Sequence, residues 1–337
     1  MKNTRKLLST ALICIILFFL SCKNNEKSNK VFLPNVTGKA NEVVLVIESY
    51  LWKSELGDTL KKIFQKAEIA LPQPEPMFDL INITPSAFTK LFKPHRNIVI
   101  VNISSEHSAP NILVKKNVFA KPQIVVDLTS PNKEKLASYI SQNKNKLRSI
   151  FLDIERNRII NYYKKYEEKA IRDKLANKHN IGLFIPKGYS LDVDKKDFIW
   201  IAHETPDVKQ NIFIYCYNYT DKETFTQEYL VNKRNEILKK NVPGPVEGSY
   251  VTTEMAITPN FTEVNYKGRY FAQLRSLWKT HNYFMGGPFI SFTTLDEKNN
   301  RVVTIEGLVY APQMNKRDYV RQMEGILYTF FIPDNNE

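Results

Sequence analysis

The sequence predicts an α+β protein of mixed α/β character. It divides into an N-terminal α/β domain over 38–130, a long basic helical connector over 131–180, and a C-terminal domain over 181–337, a mostly antiparallel sheet with packed helices. Three observations carry this prediction. Short apolar runs alternate with helical patterns up to residue 130, the rhythm of an α/β layer. From Pro131 no glycine or further proline occurs until Gly182, so nothing punctuates a helix there. Beyond Gly182, apolar segments of period two are separated by turn residues, the pattern of an antiparallel sheet.

In the first domain, strands are expected at Val43 to Ile47, Phe78 to Ile83, Ile98 to Ile103 and Ile124 to Leu128. A helix falls near Ser54 to Glu68, and a short one begins at Thr84-Pro85. In the connector, Ser130-Pro131 supplies an N-cap followed by proline at the first helical position, and the polar run Ser141 to Lys146 is a place for a break. In the second domain, strands are expected at Gly182 to Ile185, Phe198 to His203, Ile212 to Tyr217, Arg269 to Trp278, Pro288 to Leu295 and Val302 to Tyr310. Helices are expected from about Lys222 to Lys240 and from about Lys316 to Phe330, and Asp296 to Asn300 reads as a hairpin loop. In LWKTHNYFMGGPF, Leu277 to Phe289, the Gly286-Gly287-Pro288 break is expected to reverse the chain, with His281 and Tyr283 packed beside the turn.

The opening residues carry an address. Lys2, Arg5 and Lys6 precede an apolar run from Ala11 to Leu20, too short to span a bilayer core that needs about 20 residues. Residues 1–21 therefore read as an export signal. Phe19-Leu20-Ser21-Cys22 resembles the lipobox of bacterial lipoprotein signal peptides, with Phe19 in place of the usual leucine. The resemblance implies acylation of Cys22, with residues 22–37 as lipidated N-terminus and tether. Cys14 would leave with the signal, so Cys216 stands alone, a buried hydrophobe rather than half of a disulfide.

The 337-residue chain carries a formal charge of +13. Loss of residues 1–21 removes three cations and no acids, leaving +10. Most of that excess lies between Pro131 and Lys178, where 13 Lys or Arg face 6 Asp or Glu. Clustered cations suit nucleic acid, anionic lipid or an acidic partner, and an export signal disfavours nucleic acid, so no nucleic-acid partner is expected. The plainer reading makes Lys164, Lys165, Lys169, Arg172 and Lys174 the solvated face of an amphipathic helix, with Glu167, Glu168 and Asp173 as counter-charges.

The order of elements after the connector, with Phe184 to Tyr189 leading into it, resembles the Mog1/PsbP type of α/β/α sandwich. Five segments, Leu71 to Pro76, Pro94 to Asn97, Trp278 to Phe289, Glu306 to Pro312 and Lys316 to Tyr319, resemble a Bacteroidetes lipoprotein family catalogued only as a domain of unknown function. That resemblance covers nearly the whole mature chain. It implies an outer-membrane lipoprotein and no catalytic residue.

Motifs for chemistry are few. No G-x-G-x-x-G, P-loop or G-x-S-x-G occurs, so nucleotide and hydrolase readings have no motif. His95, His107, His179, His203 and His281 lack metal-ligand spacing, and Asp192, Asp194 and Asp197 fit a hairpin turn better than a calcium loop. No metal or cofactor is expected. The candidate ligand residues are Arg269, Gln273 and Arg275, which alternation puts on one face of a strand, with His281, and with Glu306 placed to oppose an arginine. The reading is a lipid-anchored, membrane-attached envelope protein, a non-enzymatic binding or assembly module whose partner is an envelope protein or an anionic ligand. The alternative is an envelope enzyme with its site around Arg269, Arg275, His281 and Glu306.

Overall fold

The computed structural model describes residues 32–333, and the expected signal and Cys22 lie outside them. The protein is α+β. The first sheet holds β1 (Glu42–Val46), β2 (Asp79–Ile83), β3 (Asn97–Ile103), β4 (Asn111–Lys116) and β5 (Ile124–Ser130) in the order β2-β1-β3-β5-β4. All but β4 are parallel. β1 is buried on both faces, as its unbroken Val-Val-Leu-Val run requires. One face carries α1 (Ser49–Trp52), α2 (Glu55–Phe64), α3 (Lys133–Gln142) and the first half of α4 (Lys144–Lys165) around Phe64, Phe78 and Phe151. The other packs Val44, Val46, Ile98 and Val125 under Phe88, Phe92 and Phe119.

After α5 (Lys169–His179) comes an antiparallel sheet of β6 (Ser190–Asp194), β7 (Phe198–Glu204), β8 (Lys209–Asn218), β9 (Tyr250–Thr253), β10 (Asn260–Tyr266), β11 (Arg269–His281), β12 (Tyr283–Asp296) and β13 (Arg301–Tyr310). Its order is β10-β11-β12-β13-β8-β7-β6, with β9 on β11 beyond the end of β10. α7 (Arg317–Leu327), α5 and the end of α4 cover one face, and α6 (Gln227–Asn241) covers the other. The result is a helix–sheet–helix sandwich.

α4 stitches the halves together. Its Leu147 and Phe151 belong to the first core, its Ile160 and Tyr163 to the second. Around it runs a polar seam. Glu75, from the Leu71 to Pro76 segment, accepts from the backbone of Lys316 at 2.6 Å and of Arg317 at 2.9 Å, placing a carboxylate where the dipole of α7 favours one. Arg317 clasps Asp79, and Arg321 pairs with Glu68 at 2.6 Å. In the Pro94 to Asn97 segment, Arg96 and Asn97 both bind Glu155 of α4 at 2.7 Å. Residues from Asn35 onward form one compact unit, which holds every helix, strand and buried hydrophobic cluster of the described residues and so has a complete set of cores of its own.

Several expectations change. Asn132 rather than Ser130 caps α3, accepting from Lys135 N at 2.9 Å, because Ser130 still belongs to β5. Gly182 to Ile185 is no strand. Gly182 exchanges two hydrogen bonds with Phe331 and Ile185 accepts from Glu168, so its backbone is satisfied without a ladder. The β11–β12 reversal occurs at Asn282, with φ of 58°, and not at Gly286-Gly287. Those glycines lie inside β12, paired with Lys279 and Trp278. A Cβ on Gly287 would stand 2.2 Å from Val309 O, so the position is glycine for close approach. Trp278 uses that space to donate its indole N–H to Val309 O at 3.1 Å.

Candidate functional site

The expected site residues do not converge. β11 alternation sends Arg269, Gln273 and Arg275 to the α7 face and Leu274 to the α6 face. Leu274 pairs with Ser291, which pairs with Glu306, so Glu306 stands on the α6 side, across the sheet from Arg275. It does oppose an arginine, but that arginine is Arg234 of α6, fully buried and bidentate at 2.9 and 2.7 Å. Burial raises the Glu306 pKa against the pull of Arg234. His281 is exposed and stacks on Tyr250 at 4.7 Å. A site joining Arg269, Arg275, His281 and Glu306 is therefore excluded by the sheet itself.

Gln273 and Arg275 line a cavity of about 220 Å³ between the halves, beside Arg156, Glu68 and Glu324. Its charges are spent on one another. Arg275 reaches Glu324 at 2.5 Å and Glu68 at 3.4 Å. Burial works against the Arg275 charge, yet these carboxylates outweigh it and raise its pKa. Glu324, also buried, is lowered by Arg275 and Arg156. A network so balanced holds two layers in register, and it leaves no group free to take a ligand's charge. Asp194 is likewise spent, on Lys178 at 2.8 Å, Lys174 at 3.2 Å and His179 at 2.7 Å. Burial pushes the Cys216 thiol up to about 11, too high for a thiolate nucleophile at neutral pH.

The α6 face offers a different arrangement. Where α6 ends, Val242 to Pro245 crosses the sheet, and beneath it lies a cleft of about 330 Å³ walled by Trp200, Phe213, Trp278, Met285, Leu308 and Tyr310. β7 and β8 bring Trp200 edge-on to Phe213 at 5.4 Å, and β11 and β13 place Trp278 6.2 Å from Tyr310. Asn211 holds the Trp200 indole N–H at 2.8 Å. Gly244 lets the loop descend, since a Cβ there would meet Thr280 Cγ2 at 2.6 Å. Thr280 also lines the cleft, and its buried hydroxyl has no partner among the described residues. The Glu204–Lys209 pair, at 3.1 Å, lies at the solvent edge. Beside the cleft the hairpin tip leaves Phe284 fully exposed and Tyr283 half-exposed. Volume, aromatic walls and a few polar groups are those of a binding pocket.

LWKTHNYFMGGPF stands out in the sequence, but its local signals are those of a turn. Trp278, Thr280 and Met285 are in fact three walls of the cleft. Trp200, Asn211 and Tyr310 were missed, because what sets them apart is their meeting across β7, β8 and β13.

Two family profiles match the chain. Residues 168–329 match the family described as Domain of unknown function (DUF4837), and residues 36–164 match Domain of unknown function (DUF8532). Together they cover most of the chain. No curated protein matches it. Among solved structures, the Saccharomyces cerevisiae Ran-binding protein Mog1p is 8% identical, covering 46% of this chain and 92% of its own, with a TM-score of 0.32. A Bacteroides thetaiotaomicron protein is 9% identical, with 48% of this chain and 47% of that chain covered and a TM-score of 0.22. Likenesses this distant carry no functional argument.

Proposed function

We propose that the protein is a lipid-anchored binding module of the outer membrane, attached through acylated Cys22, and that it binds an apolar or aromatic group of its partner in the Trp200–Trp278 cleft. The single observation that carries the binding reading is that cleft. Two tryptophans, a tyrosine and a methionine supply large contact area, and the acid and base in the lining, Glu204 and Lys209, are paired with one another at its edge. Envelope chemistry at a site around Arg269, Arg275, His281 and Glu306 is not part of this reading. The anchor rests on the lipobox resemblance and on the polar stretch that follows Cys22.

The cleft is tested by titrating residues 35–337 with the neutral apolar probe N-phenyl-1-naphthylamine. One saturable site with energy transfer from tryptophan is expected, weakened at least about tenfold by Trp200→Ala and by Met285→Glu, a loss of about 1.4 kcal/mol or more. Binding unchanged in both folded variants would refute the cleft. The anchor is tested separately with the full chain. Wild type should partition with membranes and Cys22→Ser should not, and equal partitioning after correct cleavage would remove the anchor.

A further inference from the structure

The basic connector holds two kinds of cation. Arg172 pairs with Glu167 at 2.6 Å and Asp173 at 2.9 Å, and Lys174 and Lys178 share Asp194. Of the five cations expected on a solvated face with nearby counter-charges, Arg172 pairs with Glu167 and Asp173 as expected, while Lys174 is neutralised by Asp194 instead. Lys164, Lys165 and Lys169 have no carboxylate partner among the described residues, and neither do Lys187, Lys267 and Arg269. Lys164, Lys267 and Arg269 line one cavity, and Lys165 lies beside it on the Tyr166 ring. Lys164 lies over the Phe184 ring at 5.2 Å, Lys165 over Tyr166 at 5.1 Å and Lys267 over Tyr266 at 5.2 Å. Lys187 donates its backbone N–H to Tyr166 O at 3.2 Å. A cavity of about 410 Å³ among Lys164, Lys267, Arg269, Phe184, Tyr266 and Phe331 has no carboxylate in its lining.

Exposed aromatics are interleaved with these cations. Tyr162, Tyr166 and Phe331 are 59%, 42% and 40% exposed. Tyr162 packs on Tyr166 at 4.8 Å and Phe184 on Phe331 at 6.0 Å. A helix face meant only for water has no reason to present stacked rings beside unpaired lysines. A face meant for lipid headgroups does, because tyrosine settles at the headgroup level and phenylalanine at the acyl boundary below it while lysine stems reach anionic phosphates.

The start of the compact unit lies on the same side. Asn35 bridges to Lys121, and Arg158 of α4 donates to Pro122 O at 3.0 Å. Tyr162 is one helical turn beyond Arg158. The stretch from Cys22 to Asn35 spans at most about 45 Å.

We propose that the end of α4, the 166–169 turn and the β10–β11 hairpin form a docking surface for an anionic phospholipid bilayer, seating the protein on the membrane to which Cys22 tethers it. The seating rests on the tether of the previous subsection, but lipid binding by the face does not. The test therefore uses residues 35–337, which lack Cys22. Sedimentation is measured with vesicles of phosphatidylcholine and with vesicles in which roughly a third of the lipid is phosphatidylglycerol. Binding to the anionic vesicles is expected, and it should fall as added salt shortens the screening length.

The triple variant Lys164→Gln, Lys165→Gln, Lys267→Gln should lower that binding at least about tenfold, since each lysine near such a surface is worth about fivefold. Tyr162→Ala with Phe331→Ala should lower it further. Lys174→Gln with Lys178→Gln, which removes cations already neutralised, should change it less than about threefold. Equal losses in the two lysine sets would reduce the effect to net charge and overturn the proposal. So would binding indifferent to the triple variant. Competition by millimolar inorganic phosphate would overturn it in favour of a small-anion site.

Discussion

Glu306→Gln tests whether the polar residue that looked most like site chemistry is structural. The carboxylate is fully buried, clasped by two nitrogens of Arg234, whose third donor reaches Thr253 Oγ1 at 2.8 Å and whose guanidinium lies 3.8 Å from the Phe289 centroid. Charge centres about 4 Å apart attract by roughly 4 kcal/mol at an effective dielectric of about 20. Taking each ion out of water costs several kcal/mol. The intact pair therefore breaks roughly even, and either ion left alone does not. Loss of one partner should cost about 3–5 kcal/mol, whereas Arg234→Met with Glu306→Leu should lie within about 1 kcal/mol of wild type. At roughly 2 °C per kcal/mol for a unit of this size, each single variant should melt about 6–10 °C low and the double variant near wild type.

The pH dependence carries a sign. The folded-state pKa of Glu306 is already raised by burial, and Arg234→Met removes the partner that opposes this. A raised folded pKa means that stability is present below the ordinary carboxylate pKa near 4 and is lost as pH rises above it. Arg234→Met should therefore lose more stability at pH 7 than at pH 4. Thermal and urea unfolding read both outcomes. A Glu306→Gln variant that melts like wild type but fails to bind would refute the structural reading and return Glu306 to the site.

Three further predictions follow from other contacts. Gly287→Ala should cost about 2 kcal/mol and red-shift tryptophan emission, because its Cβ meets a backbone oxygen that cannot swing aside. Unchanged melting would refute that close approach. His281→Ala, which loses only a stack at an exposed hairpin end, should cost under about 1 kcal/mol by the same melting assay. For Asp194, the hydrogen bond from Lys178, helped by His179 and Lys174, holds the carboxyl well below its usual range. A lowered folded pKa stabilises above about pH 4 and the benefit fades as pH falls below it. Asp194→Asn should flatten the stability curve in that acid window, and an unchanged acid slope would refute the assignment.

Period and punctuation determined much of this protein. The Val43 to Ile47 run, the alternation in Arg269 to Trp278 and the unpunctuated stretch after Pro131 are local signals, so β1, β11 and a helical stretch broken near Asn143 are readable from them, while the second break, at 166–168, carries no Gly or Pro to announce it. β4 and β10 are not readable, because edge strands with solvent on several positions lose the apolar alternation that announces a strand. The charges of the Leu71 to Pro76 and Lys316 to Tyr319 segments are equally mute in sequence. Glu75 becomes the cap of α7 only when some 240 residues of chain fold between them. The cleft belongs wholly to the tertiary level. Trp200 and Trp278 each look like an ordinary strand aromatic, and which side of the sheet they share depends on register, which in turn sends Arg275 and Glu306 to opposite faces. A one-residue slip between β12 and β13 would bring Glu306 to the Arg275 face, and the packing that forbids it, with Phe289 over Arg234 and Gly287 under Val309, is contributed by strands and helices far apart in the chain.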